Sequence, residues 1–331
     1  MRFLRSEGLL RTPACVVAIT AATLLGCRES PRPGRPHDVT IAAGPHGGAF
    51  HNLATDVARQ LNGTVTGVRL VAKPGGGSTV NVAAVDESIE DVAFARADVA
   101  YAAYSTGTPR RHVPHTRLRA IAVMHRSVLH VVVDARSRVA SVADLRGARV
   151  VYGRTADDGE VAPVRFIDLL GAGLGIHEGE LEASEATFDG AAEELATARA
   201  DVGLLRAGYP LDALTRLASR VDIRLLEISP AVASRIRADY PFYKPTLIPP
   251  DTYPGQHEPI WTVGVDNLLV CQRDLDESIV YAITRALFES LPALAAANPI
   301  ARQIDPELAP TTPIPLHSGA ARYDRERELF R

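Results

Sequence analysis

Apolar positions along the chain follow two alternating periods. Short, nearly unbroken apolar runs at 39–43, 67–72 and 91–95 have the length and composition of buried strands. Between them the spacing becomes helical. Phe50, Leu53, Val57 and Leu61 fall on one face, then Asn81, Val82, Val85 and Ile89, and 98–105 reads as a further short helix. The first third is therefore strand, loop and helix repeated, a pattern that predicts a parallel sheet. The alternation resumes downstream, with strands predicted at 148–152, 201–205 and 221–228 and helices at 160–170, 191–200 and 230–240.

Two segments interrupt this rhythm. Strands at 117–123 and 128–133 follow one another with a turn expected at 125–127, as where a chain leaves one domain for another. Residues 241–259 carry six prolines and read as a long loop. A strand at 260–271 is expected to return to the first domain. Leu275, Ile279, Ile283, Leu287 and Leu291 then recur every four residues, predicting a helix with one buried face. The fold class expected is α/β and two-lobed, each lobe a mixed, mainly parallel sheet flanked by helices. Lobe 1 would comprise 39–127 and 245–331, lobe 2 would comprise 128–244, and a cleft would lie between them.

The N-terminus does not belong to either lobe. Arg2, Arg5 and Arg11 precede an apolar run at 14–25 that is too short to span a bilayer, and Leu24-Leu25-Gly26-Cys27 follows. A basic region, a short apolar core and a small residue describe an export signal. The cysteine directly after the small residue resembles a bacterial lipoprotein signal, which implies lipid on Cys27. Residues 28–38 are a Pro/Arg-rich tether. With Cys15 in the signal and Cys27 lipidated, Cys271 stands alone in an apolar strand and reads as a core cysteine.

Composition narrows the partners. With 331 residues, 46% of them hydrophobic and 23% charged, the chain can bury a substantial core. A net charge of −3 and only 5% aromatic residues disfavour nucleic acid as a partner. No GxxxxGK[ST], GxSxG or HExxH motif is present. His112 and His115 lack acidic or cysteine neighbours and read as a solvated loop. No cofactor and no metal site is expected.

The candidate chemistry lies in loops at the carboxyl ends of strands, where open α/β sheets bind small molecules. The first loop offers His46, Gly47, Gly48 and Phe50. The second offers Gly76, Gly77, Ser78 and Thr79, the third Arg96 and Asp98. A loop in the second domain offers Arg154, Thr155, Asp157, Asp158 and Gly159, and Tyr209 lies after a later strand. Several of these loops open helices, whose free N–H groups and partial positive charge suit carboxylates and phosphates. Lys73, Arg96 and Arg154 add cations. Asp98, Asp157 and Asp158 oppose them, so a ligand carrying both a carboxylate and an ammonium could use both signs.

Taken in order, these pieces resemble the solute-binding subunits of TRAP-type transporters, specifically the TAXI family. Gly44-Pro45-His46-Gly47-Gly48-Ala49-Phe50-His51 is similar to the family's GxxGGxY-type loop, and Gly75 to Asn81 to its TGGSxEN segment. Arg96 to Ala102 is similar to its QxDVAYxA segment, Ser141 to Val150 to its sLxDLrGkrV element, and Ile314 to Ala320 to its IPLHpGA tail. The resemblance implies a type II periplasmic-binding-protein fold that closes on its ligand and docks on a membrane permease. It also implies a glutamate-like carboxylate or amino-acid ligand and no enzymatic activity. Three departures stand out. Phe50 and His51 replace tyrosines, Arg96 replaces a glutamine, and Ala156-Asp157-Asp158-Gly159 replaces GSGT. A sensory binding protein and an enzyme using Asp157 or Asp158 are the competing readings.

Overall fold

The computed structural model describes residues 36–46, 48–108, 111–154 and 163–329. Cys27, the export signal 1–27 and most of the tether 28–38 lie outside the described residues.

The strand–helix alternation of the first third is realised as β1 (His37–Ala42), α1 (Ala49–Leu61), β2 (Val68–Lys73), α2 (Ser78–Asp86), β3 (Val92–Arg96) and α3 (Ala97–Ser105). β1 pairs in parallel with both β2 and β3, as the pattern requires. The α1 stripe buries Leu53, Val57 and Leu61 against this sheet. The chain then runs through β4 (Leu118–Asp134), β5 (Arg149–Arg154), α4 (Phe166–Leu174), β6 (Glu182–Thr187), α5 (Phe188–Ala196) and β7 (Val202–Ala207). It continues with α6 (Asp212–Ala218), β8 (Ile223–Leu225), α7 (Pro230–Asp239), β9 (Tyr243–Ile248) and β10 (Ile260–Gln272). It ends with α8 (Glu277–Glu289), α9 (Leu291–Ala297) and α10 (Ser318–Leu329).

One mixed sheet orders the strands β2-β1-β3-β10-β4-β7-β5-β6, with β8 beside β4 and β9 beside β10. β4 and β10, antiparallel to each other, sit at its centre. The first parallel set, β1 to β3, lies on one side of that pair, and β5 to β7 lie on the other.

Several sequence expectations need correction. The turn at 125–127 does not exist: β4 is a single strand of 17 residues. Its polar centre is accommodated by partners on β10. Arg126 Nε donates to Asp266 Oδ1 at 2.8 Å, and Asn267 Nδ2 donates to Ser127 Oγ at 2.9 Å. The proline-rich segment 241–259 contains β9, which pairs only with β10, and Pro245 is tolerated because that strand is an edge. α4 begins at Phe166 rather than at 160, after Pro163, where the Asp168 carboxylate accepts the Arg165 N–H at 2.8 Å. His115 is buried rather than solvated, with Nδ1 3.2 Å from Asp86 Oδ2. β6, a polar strand at the sheet edge, and α6 carry too little periodicity to be read from sequence.

The helix expected from Leu275 onward is divided. α8 and α9 are bent by 61° where Ser290 separates them. Among the described residues no single helix is long and apolar enough to cross a membrane. Cys271 is buried in β10, and burial pushes its thiol pKa far up, as a core cysteine requires.

Candidate functional site

The carboxyl ends of β1 and β3 are tied to the start of α2 by one side chain. Asn81 Nδ2 donates to the carbonyls of Ala43 (2.7 Å), Phe94 (2.8 Å) and Ala42 (3.3 Å), tying the first turn of α2 to two strands. The backbone before it passes so close to β1 that a Cβ at Gly75 would lie 2.3 Å from the Ala43 carbonyl oxygen. Gly77 then takes φ of +97°, a conformation glycine adopts without strain. Both α1 and α2 start without a side-chain cap, at Gly48 and Gly77. Their first-turn N–H groups therefore keep their capacity to bind an anion.

These two helix starts face a cavity of about 60 Å³. Gly48, Phe50, Gly77, Ser78 and Arg96 line it from the β1–β3 side. Ser127 lines it from the central strand β4, and Phe188 at the start of α5 with Arg206 and Gly208 at the end of β7 line it from beyond that strand. Two arginines thus line one small space from opposite sides of the β4–β10 pair.

Each arginine is held from behind. Arg96 Nε and Nη2 donate to the two carboxylate oxygens of Asp98 at 3.0 and 3.3 Å, and its backbone N–H donates to Ser78 Oγ at 3.0 Å. Arg206 Nη1 donates to the Tyr243 hydroxyl at 2.6 Å and to the Val164 carbonyl at 3.0 Å. Its guanidinium lies over the Phe166 ring at 5.2 Å from the centroid, a cation–π arrangement. The Tyr243 hydroxyl in turn donates to Asp98 Oδ2 at 3.1 Å. One carboxylate therefore serves both cations, directly for Arg96 and through a phenol for Arg206.

The electrostatics follow from this chain. Burial alone would raise the Asp98 pKa, but Arg96, Arg206 and the Tyr243 hydroxyl outweigh it and hold the carboxyl below its usual value. Burial pushes Tyr243 up to about 12, so it stays a neutral donor. His125, next to the register shift of β4 against β10, packs against the cavity-lining Gly208, where a Cβ would lie 3.2 Å from its ring. Its ring meets the edge of Phe50 at a centroid distance of 5.6 Å. Neither ring nitrogen finds a hydrogen-bond partner, and burial lowers its pKa to about 3.

The other sequence candidates are placed differently. His46 is exposed and packs on His51, with Nδ1 3.1 Å from Nε2. Gly76 and Thr79 flank the second loop without lining the cavity, and Asp98 supports Arg96 from behind. Arg154 is paired with Glu185 at 3.0 Å, where β5 meets the edge strand β6. Lys73 is paired with Glu90 at 3.1 Å. Tyr209 is half-buried, and its carbonyl accepts from Gln303 at 3.0 Å. Gly47, Thr155, Asp157, Asp158 and Gly159 lie outside the described residues. Ser127, Phe188, Arg206 and Tyr243 escaped sequence reasoning. The one available signal was the lone arginine ending the apolar run Val202-Gly203-Leu204-Leu205-Arg206.

A larger groove of about 390 Å³ runs along α1 past Asn52, Asp56 and Asp212. Its two carboxylates are already engaged. Asp56 accepts from Arg59 and Asn298 at 2.6 and 2.8 Å, and Asp212 accepts from Asn52 at 3.3 Å. The described residues include no group of three or more His, Cys, Asp or Glu placed to hold a metal.

A cleft floored by two central strands, with helix starts and side chains meeting over it, is the architecture of type II periplasmic binding proteins. The chain belongs to the NMT1-like family, whose model matches residues 41–327. Similar solved structures include a periplasmic transporter at 12% identity, covering 88% of this chain and 93% of that one with a TM-score of 0.50. The periplasmic aliphatic sulphonate binding protein SsuA of Escherichia coli matches at 14% identity over 89% and 92%, with a TM-score of 0.46. The substrate binding protein of an amino acid ABC transporter matches at 12% over 81% and 98%, with a TM-score of 0.41.

Proposed function

We propose that this protein is an exported solute-binding subunit of a membrane transporter, non-enzymatic, that captures a small organic anion between Arg96 and Arg206. The observation that carries the reading is the convergence of two arginines and two uncapped helix starts on one cavity. Desolvated cations and backbone amides fixed in advance favour an oxyanion without reorganisation. The ligand class is a small carboxylate or amino acid. Arg96 and Arg206 belong to the two lobes of the division at 39–127 with 245–331 and at 128–244. β4 and β10 connect those lobes, so ligand capture would close one on the other.

The order of motifs from Gly44 to Ala320 supports a TRAP-type transporter of the TAXI kind as the partner permease. The basic and apolar N-terminus ending in Cys27 supports a lipid anchor on the outer side of a membrane. Thermal unfolding with a panel of organic and amino acids tests the ligand claim. A ligand at a hundredfold its Kd should add about 2.7 kcal/mol of stability, and no stabilisation by any of them overturns it. Cys27→Ser should move the protein from the membrane to the soluble fraction, and retention on the membrane overturns the anchor.

A further inference from the structure

Arg206 lines the cavity, but groups outside the cavity decide which of its N–H donors a ligand can use. A guanidinium offers five N–H donors in a fixed fork. Nη1 carries two of them and meets two acceptors, the Val164 carbonyl at 3.0 Å and the Tyr243 hydroxyl at 2.6 Å. The guanidinium also lies over the Phe166 ring, which is itself stacked on Tyr152 with centroids 5.3 Å apart. Among the described residues, the donors left to a ligand are Nε–H and the pair on Nη2. That edge of the fork can meet two oxygens of one head group side by side. The Tyr243 hydroxyl is oriented in its turn. Asp98 is held ionised by its partners and is then an acceptor only, so the phenol proton goes to Oδ2 at 3.1 Å. The phenol oxygen keeps its lone pairs for Arg206. Tyr243 is fully buried on β9, opposite Val265 of β10, and does not line the cavity.

From this we infer that Tyr243 is a positioning residue for ligand binding: without touching the ligand, its hydroxyl holds Arg206 Nη1 so that the Nε–Nη2 edge receives the oxygens of the anion. This role rests on the anion-binding reading of the cavity and extends it to a residue behind the binding surface. It also states how the anion is gripped, side-on by Arg206 rather than through the two Nη nitrogens at the tip.

Tyr243→Phe keeps the ring and removes only the hydroxyl. Calorimetry on the full chain with L-glutamate, succinate and propionate identifies the tightest of these probes, which is then measured on Tyr243→Phe, Arg206→Gln and the double variant. Tyr243→Phe should weaken binding about tenfold, a difference of about 1.4 kcal/mol. In the Arg206→Gln background the same change should cost less than about twofold, because its effect passes through Arg206. A merely structural hydroxyl would weaken binding by the same factor in both backgrounds. That result, or undiminished affinity in Tyr243→Phe, overturns the positioning role while leaving the anion site standing. No binding of any of the three probes by the parent protein at millimolar concentration overturns the anion site and the role of Tyr243 with it. A crystal structure of the parent with the tightest probe gives a second reading. Arg206 Nη1 should stay on the Tyr243 hydroxyl while Nε and Nη2 meet the probe. Nη1 turned away from Tyr243 to meet the probe contradicts the assignment.

Discussion

The two walls of the cavity are built on different principles. The wall from β1 to α3 is mostly backbone: strand ends drawn together by Asn81, close passage at Gly75, and helix starts left without caps. The opposite wall is mostly side chain, with Arg206, Phe188 and Ser127 delivered singly from β7, α5 and β4. A backbone wall is coupled to folding, because its geometry is the geometry of the sheet. A side-chain wall can change its chemistry one residue at a time with little effect on the fold. The first wall should therefore respond to substitution in stability, the second in affinity.

The largest expected effect is on the backbone wall. Asn81→Ala removes the amide that ties the α2 start to the Ala43 and Phe94 carbonyls, and should cost about 3 kcal/mol in urea unfolding. A loss below about 1 kcal/mol would show that the strand ends do not depend on it. Next comes Arg206→Gln, which should weaken binding of the best anion about a hundredfold, equivalent to about 2.7 kcal/mol. Its denaturation midpoint should move much less than that of Asn81→Ala. The reverse ordering would erase the distinction between the walls.

A pH series sharpens the comparison at the floor between them. His125 and His130 lie on the same strand, both fully buried. His130 is satisfied by the Leu205 carbonyl at 3.2 Å and the Tyr253 hydroxyl at 2.8 Å, whereas His125 has no hydrogen-bond partner among the described residues. Burial lowers His125 to about 3 and His130 to about 4. Both stay neutral in the fold while the unfolded chain takes up protons below about 6.5. Stability therefore falls as pH drops from 6.5 toward those values, by up to about 1.4 kcal/mol per pH unit for each residue. His125→Leu should remove one such contribution and be close to neutral at pH 7, since no hydrogen bond is lost. His130→Leu should be destabilising at pH 7 because the Tyr253 O–H loses its acceptor, although that hydroxyl still accepts the Leu211 N–H at 3.0 Å. Equal behaviour of the two variants at pH 7 contradicts the contrast. The smallest effect expected is Ser78→Ala, about 1 kcal/mol in stability from losing the acceptor of the Arg96 N–H.

The same division explains what could be read from sequence. Glycines, helix starts and strand ends are local, so the loops at 44–48 and 73–78 and the α1 boundaries were legible, and Gly48, Phe50, Gly77, Ser78 and Arg96 do line the cavity. Arg206 and Tyr243 matter through partners 37 to 145 residues away, and no local pattern encodes that. Tyr243 was hidden further by Pro241 and Pro245, which made an edge strand look like a loop. His125, Arg126 and Ser127 resembled a turn because three polar residues interrupt an apolar run. Only the bulged register with Asp266 and Asn267 shows how a strand accommodates them. Arg154 carried the right charge at a strand end, but Glu185 on the neighbouring edge strand claims it.

The central claim, that one anion is held by both walls at once, is tested most directly by a crystal structure with the tightest-binding member of the organic-acid and amino-acid panel. Its oxygens should lie within about 3 Å of donors on both Arg96 and Arg206, over the starts of α1 and α2. A head group that touches only one arginine, or that lies in the groove along α1 instead, would contradict it.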